Sequence, residues 1–359
     1  MTSENPPRTY ALGKDVFMID VHDLHMPYRT GVYVLPQAGV LIDVGPSSGI
    51  QYLLEGLRQL HITPSSIQGI VLTHIHLDHA GGVGLLLTSM PQAKVIVHPR
   101  GARHLAHPEK LIAGAKAVYG EMFESYFHPV LPVPEDRIIT PGDGETLSFA
   151  GGKSFTFIDT PGHARHHLSI MDQETGDVFT GDTVGILYNQ VLKASIAHDA
   201  IHDAHIQNAR FEKPFVLPST SPNQFDAKAM RGSWERIRSF NPKRLFFGHF
   251  GSTEDVEEAF LSAEKGLQLY EETLKDFLSP FLSNHSAQHA LSLTPEHIER
   301  LATLLNERIK ETLLTAFLDD IRSADRSDDL LFFHMLALDQ SINAFGLLDA
   351  ALKQMGEAL

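Results

Sequence analysis

Four side chains able to hold a cation crowd one short stretch, His74, His76, Asp78 and His79 within GIVLTHIHLDHAGG at residues 69–82. Neutral imidazole is the commonest protein ligand for transition metals, and a nearby carboxylate supplies negative charge to balance a divalent ion. In extended backbone, residues i and i+2 project to the same side, so His74 and His76 can share one cation. Asp78 and His79 lie past the bend, displaced from that pair, where they suit a second cation. Two histidines leave a coordination sphere incomplete, so this reading demands further ligands from elsewhere. Three candidates recur in one context: His163 in DTPGH, Asp182 in TGD and His249 in FGH, each beside a glycine and after an apolar strand-like run. That repeated grammar places three distant donors at one edge of a sheet.

The elements that must position these residues are legible as short strand patterns bounded by turn residues: Gly31–Pro36, Val40–Val44, Gly69–Thr73, Lys94–Val97, Ser154–Ile158, Leu168–Met171, Asp177–Thr180 and Arg244–Phe247. Ile50, Leu53, Leu54, Leu57 and Leu60 mark one face of a helix between the second and third, and Gly82–Met90 reads as another. Pro141–Asp159 carries turn signals at Asp143-Gly144 and Gly151-Gly152, which predict a β-meander in a mixed sheet. Two stretches read as insertions. Gly101–Phe127 is helical, with Leu105, Leu111, Ile112, Ala115, Val118, Met122 and Phe123 spaced for one buried face, and Tyr188–Pro222 is irregular. Beyond Gly251 only helical patterns follow, Val256–Leu278, Pro295–Asp320 and Asp328–Met355, separated by a break at Ser279-Pro280 and by the polar stretch Ser323–Ser327. The chain therefore divides into residues 1–250, a catalytic α/β domain, and 251–359, an α-helical subdomain that covers the core or builds a homodimer.

Composition bounds the function. The 359 residues are 43% apolar and 20% charged, enough to bury a large core. With 29 basic against 44 acidic residues the formal charge is −15, which repels phosphate backbones and anionic lipid surfaces. A small-molecule substrate is expected, with neither nucleic acid nor membrane as partner. Cysteine is absent, which excludes disulfides, thiolate nucleophiles, zinc ribbons and iron–sulfur clusters. The amino terminus has no basic stretch leading into an apolar one, and no apolar run approaches the ~18 residues of a bilayer span, so a cytoplasmic location is expected.

The motifs THIHLDHAGG, TPGH, TGDT and FGH, in this order within roughly residues 15–255, resemble those of the metallo-β-lactamase superfamily. The resemblance implies an α/β fold of the αββα sandwich type, here with helical insertions and an α-helical C-terminal extension. It also implies that His74, His76 and His163 hold a first metal, that Asp78, His79 and His249 hold a second, and that Asp182 bridges the two. Asp43, in LIDVG, matches a second-strand aspartate that orders the ligand turn without touching metal. Two divalent ions about 3.5–4 Å apart, zinc foremost with iron or manganese also suited to these donors, deprotonate a bridging water and polarise the bond it attacks. Asp78 has a catalytic task as well, accepting a proton or hydrogen bond from that hydroxide.

Departures from the family's branches narrow the reaction. The missing cysteine and the Asp182 carboxylate resemble glyoxalase II and lactonases rather than the zinc β-lactamases that use a cysteine ligand. The expected activity is hydrolysis of a small-molecule ester, thioester or lactone. Phosphodiester cleavage by the same fold is disfavoured by net charge, a di-iron oxidoreductase by the histidine at position 76 and the helical tail, and a metal-bound sensor by the complete ligand set. Lactonases carry a tyrosine three positions after the bridging aspartate; here that position is Gly185, and Tyr188 is the nearest candidate. Among other histidines, His61, His104, His107, His128, His285, His289 and His334 read as ordinary surface or core residues. His22, His25, Tyr28 and Arg29 lie in a loop able to reach the site, His167 reads as a support for the ligands more than His166, and His198, His202 and His205 are candidate pocket residues.

Overall fold

The computed structural model describes residues 9–198, 213–283, 294–317 and 331–357. The eight strands expected between Gly31 and Phe247 form, with ends shifted by one or two residues. A seven-stranded sheet runs in chain order: β1 (Thr9–Ala11), β2 (Phe17–Asp20), β3 (Gly31–Leu35), β4 (Val40–Ile42), β5 (Gly69–Val71), β6 (Lys94–Ile96) and β7 (Ile138–Ile139). The first four strands pair antiparallel and the last four parallel. Parallel neighbours require crossovers: α1 (Ile50–Gln59) joins β4 to β5, and α2 (Leu77–Ala80) with α3 (Val83–Leu86) joins β5 to β6. Three further helices, α4 (Pro99–Ala106), α5 (Glu109–Tyr119) and α6 (Phe123–Phe127), lie between β6 and β7.

The predicted meander opens the second sheet with β8 (Thr146–Ser148), β9 (Ser154–Asp159), β10 (Leu168–Asp172) and β11 (Val178–Gly181). In the described part of the stretch expected to be irregular, 188–198 and 213–222, a helix and a strand form: α7 (Asn189–His198) follows β12 (Ile186–Leu187), which pairs with β13 (Val216–Leu217). The helix α8 (Ala227–Ser239) leads to β14 (Leu245–Phe247), which joins β11 in parallel, and β15 (Ser252–Thr253) closes that edge.

Period-two alternation explains the layers. Tyr33, Leu35, Val40, Ile42 and Val71 face the second sheet and meet Phe155, Phe157, Ile170, Phe179 and Phe246. The intervening Val32, Val34, Leu41 and Ile70 face outward onto Leu53 and Leu57 of α1. The outer face of the second sheet, Val178, Leu245 and Phe247, is covered by Met230, Trp234 and Ile237 of α8. The result is helix, sheet, sheet, helix. Each fully buried phenylalanine between the sheets contributes about 1.5–3 kcal/mol relative to exposure.

Three long helices complete the chain: α9 (Val256–Ser283), α10 (Pro295–Phe317) and α11 (Leu331–Glu357). The break expected at Ser279-Pro280 does not occur, because α9 runs through Pro280. Leu274, Phe277 and Leu278 pack against the cluster of the last helices, and that burial carries the helix past a residue that removes a single N–H near its end. By length and composition α11 could cross a membrane, contrary to the expectation that no such run exists. It is instead largely enclosed: Phe332, Leu336, Leu347 and Leu348 are buried with Ile186, Tyr188, Val191 and Leu217. The helical insertion also departs from its pattern. The chain turns at Gly120, φ 55°, which divides the stripe, so Phe123 is buried while Val118 and Met122 are 46% and 44% exposed.

Candidate metal centre

The strand β5 delivers Thr73 to the sheet edge, His74 and His76 occupy the turn that follows, and Asp78 and His79 lie in the single turn of α2. His163 follows β9, Asp182 follows β11 and His249 follows β14. All seven side chains expected from the sequence meet at this edge, in three groups whose ligand atoms lie within 4.8 Å of one another: His74, His76 and His163; His74, His79 and Asp182; Asp78, His79 and His249. His76 Nδ1 is 2.9 Å from His163 Nε2, and His79 Nε2 is 3.3 Å from His249 Nε2. Asp182 stands between the pairs, its oxygens 3.3 Å from His79, 3.6 Å from His163 and 3.5 Å from His249. Asp78 Oδ2 is 3.3 Å from His249 Nε2 and 3.6 Å from His79 Nε2.

The outer nitrogens of these rings are committed, which fixes where their lone pairs point. His79 Nδ1 contacts Asp43 Oδ2 at 3.0 Å, His163 Nδ1 the Ser219 carbonyl at 2.9 Å, and His249 Nδ1 the Arg29 carbonyl at 3.0 Å. Each Nδ1 therefore donates outward, and each Nε2 is the atom aimed at the centre, where its lone pair is available to a metal once any proton on it is displaced. His74 Nε2 is buried with no hydrogen-bond partner among the described residues. A buried ring nitrogen without a donor, beside four others crowded within 3.3 Å in pairs, is costly unless a cation sits among them. The residues thus fit a metal, and mixed N/O donors at this spacing suit divalent first-row ions.

The electrostatics agree. Burial lowers the pKa of His74, His76 and His163, taking His76 down to about 3, so these rings are neutral, the form that ligates. Burial also opposes charge on His249, but the Asp182 and Asp78 carboxylates outweigh it and push the ring up to about 10. Burial alone would raise Asp182; the charges of His249 and His79 hold it well below the usual carboxylate range instead. Without metal, then, His249 keeps a proton at neutral pH. That shift stabilises the metal-free fold fully below the unfolded value of about 6.5 and is lost as pH rises through about 10. Loading metal at pH 7 is expected to release at least one proton, with affinity rising up to about tenfold per pH unit for each proton displaced. Calorimetric titration in buffers of different ionisation enthalpy reads this; loading without proton release would refute it.

Supports behind the donors follow from the same turns. Asp43 accepts from Thr73 N at 2.8 Å and Thr73 Oγ1 at 2.9 Å as well as from His79, tying β4 to the ligand turn as expected. His167 Nε2 accepts from the Asp182 N–H at 3.1 Å, while its Nδ1 lies 2.9 Å from Thr160 Oγ1 and from Thr183 Oγ1. Gly248 is required by contact: a Cβ there would lie 2.5 Å from His79 Cε1 and 3.1 Å from Asp182 Oδ1. Gly248→Ala is expected to displace the His79 ring and weaken metal binding by about 10–100-fold, as loss of a ligand support does. Metal content after dialysis against a chelator checks this, and retention equal to wild type would count against it.

A cavity of about 420 Å³ opens above the cluster, with His76, Asp78, His163, Asp182 and His249 at its floor. Leu77, Leu111, Ala115, Val118 and Ile186 form apolar wall, and the cavity is also bordered by Asp339, Ile342 and Asn343 of α11. Of the amino-terminal loop only Arg29 lines it, its guanidinium held by Asp23 at 3.0 Å and Asp339 at 2.7 Å; His22 stacks on Tyr52 and His25 packs against Tyr126. Tyr188 is not a substrate tyrosine, because its hydroxyl is buried and donates to Asp339 at 2.7 Å. His104 and His166 line the cavity although the first read as ordinary and the second as subordinate to His167. His202, His205, His285 and His289 lie outside the described residues, as does the side chain of His198. The α11 contribution was missed, yet it had a signal: Asp339, Gln340 and Asn343 are polar positions in an apolar helix, and all three are buried.

Comparison with known proteins agrees with this geometry. The sequence model of the Metallo-beta-lactamase superfamily matches residues 29–249. A metallo-beta-lactamase fold-containing protein of Sulfurisphaera tokodaii is 29% identical over 236 residues, covering 64% of this chain and 75% of that protein. The crystal structure of that archaeal protein superposes with a TM-score of 0.54 at 27% identity, covering 72% of this chain and 86% of the other. An atrochrysone carboxyl ACP thioesterase of Aspergillus fumigatus is 30% identical over 158 residues, 43% of this chain and 40% of that protein. A hydroxyacylglutathione hydrolase of Serratia proteamaculans is 30% identical over 152 residues, 41% of this chain and 44% of that protein.

Proposed function

Since this chain belongs to the metallo-β-lactamase superfamily, a metal-dependent fold, we propose that it is a dinuclear metal hydrolase of a small-molecule thioester, ester or lactone. The observation that carries the reading is the convergence of seven donor side chains, five of them lining one cavity of about 420 Å³, a size suited to a small molecule. His74, His76 and His163 would hold one ion, Asp78, His79 and His249 the other, and Asp182 both. Bound there, two divalent ions supply water acidified to near-neutral pKa and polarisation of the scissile carbonyl.

The chain's own groups do the rest. Asp78 is the more exposed of the two carboxylates among the donors, with 17% of its side chain accessible, so it would meet the second ion while facing the cavity. Burial would raise it, but His79 and His249 keep it ionised, so it orients the attacking water by accepting its hydrogen bond. The outward hydrogen bonds to Asp43, Ser219 and the Arg29 carbonyl hold the rings in place through turnover. Leu77, Leu111 and Ala115 beside the floor thin the water around the scissile bond. The names of two relatives, a thioesterase and a hydroxyacylglutathione hydrolase, support an acyl substrate over a phosphodiester.

The full chain loaded with zinc, iron or manganese and offered thioesters, esters, lactones and a phosphodiester tests the reading. Turnover of at least one acyl class is expected. A metal-loaded protein that cleaves the phosphodiester and no acyl substrate would overturn it.

A further inference from the structure

The mouth of the cavity has a charge opposite to that of the chain. Arg100 and His104, one turn apart on α4, Lys110 at the start of α5, and Arg165 between β9 and β10 all border it. Several exposed cations meet carboxylates: Arg58 with Glu55, Lys116 with Glu124, Arg231 with Glu264 and Glu271, Arg236 with Asp143. Scattered ones such as Lys228, Lys243 and Lys275 meet none among the described residues; the rim differs in gathering its cations at one cavity. Among the described residues Arg100, Lys110 and Arg165 have no carboxylate oxygen within 4.0 Å. The two arginines are nevertheless kept together, with Arg100 Nη1 donating to the Arg165 carbonyl at 3.4 Å. Arg165 is anchored in turn: its N–H donates to Gln224 Oε1 at 3.0 Å, and Gln224 Nε2 lies 3.1 Å from His166 Nε2 above the floor. Cations gathered without counter-charge repel one another, and a chain with 44 acidic residues has carboxylates to spare. The same cavity has apolar wall as well, from Leu77, Leu111, Ala115 and Val118.

We propose that the mouth is an anion subsite, in which Arg100, Lys110 and Arg165 take a phosphate or carboxylate carried by the substrate at its end remote from the scissile bond. The inference rests on the hydrolase reading above and narrows it: the substrate is an acyl compound with an apolar middle and an anionic end. The positive rim then holds the anionic end at the mouth and leaves the scissile bond to reach the donors.

The test measures binding to the metal-loaded full chain of three thioethers that cannot be hydrolysed: S-ethyl coenzyme A, with phosphates; S-ethyl pantetheine, uncharged; and S-carboxyethyl pantetheine, with a carboxylate. At low salt at least one charged probe is expected to bind about tenfold more tightly than the uncharged one, the joint effect of several partly exposed ion pairs. Which charged probe gains identifies the anion as phosphate or carboxylate. The advantage should shrink as salt is added and fall towards unity in the double variant Arg100→Gln/Arg165→Gln, whose metal content is measured alongside. No advantage for either charged probe, including no binding at all, overturns the subsite, as does an advantage that survives the double variant. Hydrolysis of the matching thioesters separates the two readings. Charge-selective binding without turnover of any acyl compound would sink the hydrolase and leave the subsite, and turnover indifferent to charge would do the reverse.

Discussion

Asp182→Ala is expected to abolish turnover and to leave at most one metal ion per chain, and His76→Ala to do the same. Among the described residues Asp182 is the one carboxylate within 3.6 Å of His79, His163 and His249 together, so its loss removes the charge that both donor groups share. In its absence Asp78, 3.3 Å from His249 and 3.6 Å from His79, is the one carboxylate left among the seven donors, and the His74, His76 and His163 group is left with imidazole alone. His76→Ala acts on the other side. It empties the position 2.9 Å from His163 Nε2 and reduces that group to two rings. Either change should lower kcat/KM by about 10³-fold or more, on the order of 4 kcal/mol of transition-state stabilisation. Elemental analysis and kinetics on the same preparations read both effects. His107→Ala serves as the control, since its exposed side chain pairs with exposed Glu135 and belongs neither to the donor groups nor to the cavity lining. Unchanged metal and unchanged turnover in both site variants would contradict the assignment.

The second large effect is on stability. Asp339→Ala is expected to destabilise the fold by about 3–5 kcal/mol, because it strips one partner from a buried charge pair. Arg29 and Asp339 have side-chain exposures of 4% and 3%, with Nη1 2.7 Å from Oδ1, and the other carboxylate oxygen accepts from the Tyr188 hydroxyl. Truncation leaves Arg29 with Asp23 alone and Tyr188 with a buried, unsatisfied hydroxyl. Asp339→Asn keeps an acceptor and should cost less. The damage reaches the donors as well, since the Arg29 carbonyl accepts from His249 Nδ1, while Thr30 Oγ1 lies 3.1 Å from Asp23 and 3.3 Å from that same nitrogen. Metal affinity should therefore fall by about 10–100-fold. Denaturant unfolding of the metal-free protein checks the first effect and chelator competition the second; an unfolding free energy within about 0.5 kcal/mol of wild type would exclude this role for Asp339.

The donors were readable from the sequence for a physical reason. Four sit within six residues, where spacing translates directly into direction, and the other three follow strands at glycines such as Gly248, where a side chain would collide with His79. The strands were readable because both faces are buried, so Val32, Val34 and Leu41 alternate with Tyr33, Leu35 and Ile42 in runs that nothing else explains. What covers the site was not readable. Asp339 meets Arg29 across 310 positions of sequence, and nothing local says which face of an apolar helix will roof a cavity. The helix α7, NQVLKASIAH, buries Val191 and Leu192 against the last helices and has too little periodicity of its own to declare itself. The insertion's stripe, read as one buried face, divides instead: Leu105 and Phe123 are buried, while Leu111, Ala115 and Val118 line the cavity and Met122 is exposed. Pro280 misled because packing of the preceding turn prevails over its local preference.

The central claim is that one site gathers two ions through seven side chains. Its most direct test is X-ray absorption at the metal edge on protein purified with its native metal, combined with the number of ions per chain. Two ions per chain are expected, each bound through nitrogen and oxygen only, with a metal–metal vector of about 3.5–4 Å. A single ion with no metal neighbour, or a protein that retains none when metal is supplied in excess, would contradict it.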